Sequence, residues 1–161
     1  MTDPIGNKIT LEGDGPPQLS YWHVWADKDG VTHQTRCVIS DFMKKSVGGK
    51  AAPEWIETLL TTKANVMFFV QPVGWIGEWH PNPKPQWIVT LSGRWFVETM
   101  DGTRVVMGPG EVSFGSDQTT KPDAQGRFGH RSGTVGDELL SLMAFQLEGD
   151  EWLGLEPGAF K

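Results

Sequence analysis

The sequence predicts an all-β fold, and three observations carry that prediction. Twenty Gly and eleven Pro punctuate the 161 residues, a density that helices do not tolerate. Between these breaks lie short runs rich in Val, Phe, Trp and Thr, whose branched or planar side chains suit a pleated surface. Asp29-Gly30 and Asp101-Gly102 each sit between two such runs and mark tight hairpins. One core suits this length, so the chain divides into an N-terminal arm (1–19), a β domain (20–147) and a C-terminal tail (148–161). Roughly eight to ten strands with turns between them fit a closed β-barrel or jelly roll, which removes exposed edges.

The arm carries Gly6, Gly13, Gly15, Pro16 and Pro17 and no period, with Ile9 and Leu11 as its anchors. Residues 20–26 and 31–39 flank Asp27-Lys28-Asp29-Gly30 as a hairpin, with His23 and His33 facing each other across the ladder as half-exposed strand residues rather than ligands. Pro53 to Leu60 has an acid in the first turn and Trp55, Ile56, Leu59 and Leu60 at helical spacing, which predicts the one short helix. Ala64 to Gln71 is a continuous apolar run, read as a strand covered on both faces. Arg94–Met100 and Thr103–Met107 form the second hairpin, Glu111–Gly115 a short strand, and Leu139–Leu147 the last strong one. Residues 116–129 lack any period and form a long loop, expected to be either a lid with Lys121, Arg127 or Phe128 meeting a ligand or a variable surface insertion. In the tail, Trp152, Leu153 and Phe160 are the packing candidates.

A net charge of −6, with fourteen scattered Lys and Arg, leaves no electrostatic footprint for nucleic acid or an anionic membrane. The single cysteine, Cys37, sits beside Val38 and Ile39 as a small buried hydrophobe and allows no internal disulfide. With no leader pattern and no long apolar run, the expected location is the cytoplasm.

Residues 74–93 concentrate the chemistry. Pro81, Pro83 and Pro85 forbid a helix and a central strand, so His80 ends one strand, Gln86 begins the next, and Asn82 lies on the stiff loop between. Alternation then puts Ile88 and Thr90 on the face of Gln86, with Trp87 and Val89 opposite, and puts Glu78 and Ile76 on the face of His80. Glu78 is the nearest carboxylate that could orient His80, unless it is simply solvated at a rim. Glu98 and Asp117 are weaker candidates. Outward-facing Trp79 and Trp87 need cover, either from a second copy in a homodimer or from the N-terminal arm.

The spacing Gly74-x5-His80-x-Asn82-x3-Gln86-x6-Gly93 resembles the first motif of the small single-domain cupins, with two of its three ligand positions changed. The second motif is matched only at its ends, by Gly110 and by His130 after a loop insertion, with Thr134 at the position of its closing Asn. The resemblance implies a cupin-like jelly roll over about residues 64–147 and a small-molecule site. Cupins hold Fe, Mn, Ni, Cu or Zn through three histidines and a glutamate; here that set reduces to His80, Gln86 and His130, with Asn82 as a possible fourth.

A neutral Gln86 removes the charge that would offset a divalent cation such as Zn, Fe, Ni or Mn. Two readings stay open: a loosely held metal with open positions, or a hydrogen-bonding cradle in which His80 or His130 shuttles a proton. The expected function is a small-molecule enzyme doing proton-transfer chemistry (cyclisation, isomerisation or elimination). The alternatives are a non-catalytic binding or sensing module, a metal-dependent dioxygenase, and an assembly or storage role. His80 and His130 are the catalytic candidates, and Asn82, Ile88, Thr90, Glu78 and Phe128 the substrate-binding ones.

Overall fold

A computed structural model describes residues 15–161; the anchors expected at Ile9 and Leu11 lie outside them. Among the described residues the chain is built of strands, with one 3-10 turn at Asp150–Trp152. Strands β1 (Leu19–Ala26) and β2 (Thr32–Ile39) form the first hairpin in full antiparallel register. Its turn is closed by the Asp27 carboxylate, which accepts from the Asp29 and Val31 amides, and by Gly30 at φ 87°, a backbone region that favours glycine.

The remaining strands are β3 (Met43–Lys45), β4 (Glu54–Ile56), β5 (Ala64–Gln71), β6 (Gln86–Ser92), β7 (Arg94–Thr99), β8 (Arg104–Met107), β9 (Val112–Gly115), β10 (His130–Val135) and β11 (Leu140–Leu147). A six-stranded sheet runs β2-β1-β9-β6-β11-β5, a three-stranded one β10-β7-β8, and β3 pairs with β4. Only β1 and β9 run parallel. Among the described residues the pairing does not close into a barrel: the large sheet ends at β2 and β5.

Alternation gives the large sheet two apolar faces. One meets the small sheet through Val24, Leu140 and Leu142 against Trp95, Val97, Val105 and Met107. The other buries Tyr21, Ile39, Trp87, Phe114 and Leu147 beneath Phe160 from the tail. Phe160 lies 5.0 Å, ring centre to ring centre, from both Trp87 and Phe114. Trp87 is therefore covered by its own chain, with Phe160 of the tail over it, and does not call for a second copy. Trp152 packs on this core, whereas Leu153 stays exposed.

Three expectations are corrected. Residues 53–60 contain no helix: Glu54–Ile56 pairs with Met43–Lys45, and Leu59 and Leu60 reach the core from irregular chain. So short a helix has little stability of its own, and the partner strand satisfies the backbone instead. Among the described residues strand β5 is an edge, paired with β11, and the face that carries Val66, Phe68 and Val70 is uncovered, leaving them 54–69% exposed. A continuous apolar run does not distinguish a central strand from an edge. Finally, His23 pairs with Thr35 and His33 with Trp25, so the two histidines do not face each other. His23 is fully buried rather than half-exposed.

Candidate functional site

The first part of the Gly74–Pro85 segment runs antiparallel alongside β10, the outer strand of the three-stranded sheet, with bridges Ile76 to Gly133 and His80 to His130. The amide of His80 donates to the His130 carbonyl at 2.9 Å and the amide of His130 returns the bond at 3.0 Å. Gly129 makes this approach possible, since a Cβ there would strike the His80 backbone. The imidazole centroids lie 5.0 Å apart. Both rings, with Asn82 and Gln86, line a cavity of about 310 Å³ whose other walls include Trp75, Ile88, Trp95, Ser132 and Leu142.

Asp117 organises the polar side of this cavity from beneath. Its Oδ1 accepts the Asn82 amide at 2.9 Å and Asn82 Nδ2 at 2.7 Å, and its Oδ2 lies 2.7 Å from His130 Nδ1. A carboxylate only accepts, so His130 carries its proton on Nδ1. The same constraint orients both carboxamides: Asn82 turns Nδ2 to Asp117 and Oδ1 to Gln86, whose Nε2 donates to it at 2.6 Å. Gln86 Oε1 is left buried and without a partner. His80 is fixed independently, because its Nδ1 donates to the Glu78 carbonyl at 2.8 Å.

Asp117 is fully buried. Burial pushes its carboxyl up, but the charge and hydrogen bond of His130, with the N–H groups of Asn82, outweigh this and hold it below the ordinary carboxylate range. His23 lies on the far side. Burial lowers it to about 4 against the opposing pull of Asp117, and its Nε2 meets Ser116 Oγ at 2.8 Å.

The structure brings together His80, Asn82, Gln86, Ile88, His130 and Glu78 at one cavity. Glu78 acts on His80 through its backbone carbonyl rather than its carboxylate. Thr90 and Phe128 are not on the wall. Thr90 Oγ1 accepts the Trp95 indole N–H at 2.8 Å inside the core, and Phe128 faces away, 36% exposed. Lys121 and Arg127 also lie off the cavity. The Lys121 amide donates to the Gly30 carbonyl and Arg127 Nε to Asp123, so the middle of the 116–129 loop is tied down off the cavity. The loop meets the site at its ends, through Asp117 and Gln118, which donates to the Asn82 carbonyl at 3.2 Å, and through Gly129. Glu98 pairs with Arg131 and Arg104 away from the site.

Asp117 carries more of the site than its sequence position suggests. The one available signal is that it follows a buried strand directly; Gly115, the last residue of that strand, has no Cβ where Asn82 must pass. Among the described residues no three His, Cys, Asp or Glu side chains gather as metal ligands. His80, Gln86 and His130 offer two imidazoles and a carboxamide.

No protein-family model matches the chain. No curated protein matches it either. Among solved structures it is similar to the crystal structure of protein NMB1881 from Neisseria meningitidis, at 16% identity and TM-score 0.37, over 58% of this chain and 89% of that one. No described helix is long and apolar enough to cross a membrane.

Proposed function

We propose that the protein is a cupin-type enzyme that moves a proton on a small organic molecule, with His130 as the base and His80 as the second acid/base group. The observation that carries this reading is the 2.7 Å contact between His130 Nδ1 and buried Asp117, behind a cavity that the ring lines. A carboxylate so placed fixes the tautomer and stabilises the imidazolium that forms when Nε2 takes a proton. The bonding pair stays on the substrate, and His130 or His80 returns the proton to another atom. The result is isomerisation, cyclisation or elimination without net oxidation. Support for the cupin jelly roll comes from the first-motif spacing, from two sheets packed face to face, and from the mutual hydrogen bonds of His80 and His130.

The test is solvent-deuterium exchange into a panel of small α-hydroxyketones and 1,3-diketones, followed by NMR. Exchange by the wild type that falls about 10²-fold or more in His130→Ala is expected. A full panel without exchange would leave a binding or sensing module.

The orphaned Gln86 Oε1 favours a second reading, in which a divalent transition metal (Zn, Fe, Ni or Mn) is held by His80, His130 and Gln86 and supplies Lewis-acid polarisation of a carbonyl. The donors fit in kind: one ring nitrogen on each histidine and one amide oxygen carry no protein partner among the described residues. Metal analysis of protein purified without chelator checks this, with stoichiometric metal lost in His80→Ala expected.

A homodimer is also proposed, now on β5, where Val66, Phe68 and Val70 are exposed on one face of a strand that is an edge among the described residues, an apolar, uncharged strip. Sedimentation should show a dimer that Phe68→Lys converts to monomer. A monomeric wild type would end that proposal.

A further inference from the structure

The hydrogen bonds around the cavity determine which polar atoms remain for a ligand. His80 spends its Nδ1 proton on a carbonyl and His130 its Nδ1 proton on Asp117. In each neutral ring, Nε2 is then a bare lone pair. Asp117, acting through Asn82, turns the Gln86 amide so that Oε1 is the atom without a partner. All three atoms left over in the cluster are thus acceptors. Gln86 Oε1 is the buried one, and a buried acceptor without a donor is costly, so the cluster is built for something that brings hydrogens.

Charge narrows the class. No Lys or Arg lines the cavity, Glu78 is its one charged residue, and the chain as a whole is acidic. A carboxylate or phosphate ligand would meet acceptors and no counter-charge. Shape narrows it again: Phe69, Trp75 and Trp95 form aromatic walls, and about 310 Å³ lies at the lower end of small-molecule sites. Gln71 and Ser132, also on the wall, can satisfy an acceptor elsewhere on the same ligand.

We propose that the cavity recognises an uncharged, ring-bearing molecule through two adjacent donors, vicinal hydroxyls or a hydroxyl beside an N–H, directed at His80, His130 and Gln86. This rests on the proton-transfer reading to the extent that the hydrogen presented to His130 Nε2 is the one a base there would remove. The selectivity itself is a binding property and stands or falls without turnover.

Three compact ring compounds separate the possibilities: catechol, with two adjacent O–H donors; 1,2-dimethoxybenzene, of like shape without donors; and benzoate, an anion. Calorimetric titration of EDTA-treated protein at pH 8 should give catechol about tenfold or more tighter binding than either of the others. Gln86→Met and His80→Phe should each erode that preference, with melting curves verifying that the variants fold. His80 is exposed and bonded only to a neighbouring carbonyl, so its variant keeps the test valid if Gln86→Met unfolds. Equal or tighter binding of the ether or the anion, or no saturable binding of catechol, would overturn the proposal. Catechol selectivity without proton exchange on any substrate would sustain it while removing the catalytic reading. Proton exchange on an anionic substrate, with no donor preference, would do the reverse.

Discussion

Two histidines in this chain are held by carboxylates, and the number of carboxylates separates a base from a clasp. His130 meets one, Asp117, at Nδ1. His33 meets two, with Nδ1 2.9 Å from Asp101 and Nε2 2.9 Å from Asp27. An imidazole that donates from both nitrogens is the cation, with no lone pair left for chemistry. Burial works against that charge, but the hydrogen bonds and charges of Asp27 and Asp101 prevail and raise His33 above its ordinary value. His33 thus ties the β1–β2 turn to the β7–β8 turn, whereas His130 keeps one nitrogen for the cavity.

Removing the single carboxylate should have the largest effect. In Asp117→Asn, three N–H groups that need acceptors face one carbonyl oxygen and an NH₂, so the His130 tautomer and the Asn82–Gln86 orientation are both lost. Deuterium exchange should fall about 10²-fold or more, and urea unfolding should show a loss of about 2–4 kcal/mol. Activity unchanged in a folded Asp117→Asn would make the two histidines equivalent in role and break the comparison.

The next effect concerns acid. His23 is lowered to about 4, chiefly by burial, so below its ordinary value of about 6.5 the unfolded chain binds a proton that the folded chain refuses. Stability should fall by about 3 kcal/mol as pH drops through that window. The depressed Asp117 carboxylate adds to the loss at still lower pH, where its own stabilisation disappears. Denaturant titrations from pH 8 to 4 check this, and His23→Phe should flatten the upper part of the curve.

The smallest effect is at the clasp. Because the folded His33 value is raised, its stabilisation is fully present below the unfolded value and fades as pH rises through the folded one. Asp101→Asn should lower the His33 titration midpoint in NMR and cost about 1 kcal/mol or less, since the group is partly solvated. Deuterium exchange should be unaffected, which distinguishes the clasp from the base.

Much of the cavity's lining was legible because proline-stiffened turns and strand alternation act over short distances. Pro81, Pro83 and Pro85 fix the turn, period two puts Gln86 with Ile88 and against Trp87, and Asp29-Gly30 sets the first hairpin. What escaped depends on contacts between distant segments. Asp117 ranks in the sequence only as a weaker carboxylate candidate at the start of a loop, until the fold carries it under Asn82 and His130. Thr90 shares the face of Gln86, yet Trp95 takes its hydroxyl. The apolar run of β5 contains no mark of which face stays uncovered, and the helical spacing of Trp55, Ile56, Leu59 and Leu60 serves an irregular segment equally well.

The most direct test of the account is ¹⁵N NMR of the histidine rings at pH 8. The predicted result is Nδ1–H with a bare Nε2 lone pair for both His80 and His130, and a titration midpoint for His33 above its ordinary value. A neutral His130 with its proton on Nε2 instead of Nδ1 would contradict the account, because the ring could then neither donate to Asp117 nor accept from a ligand.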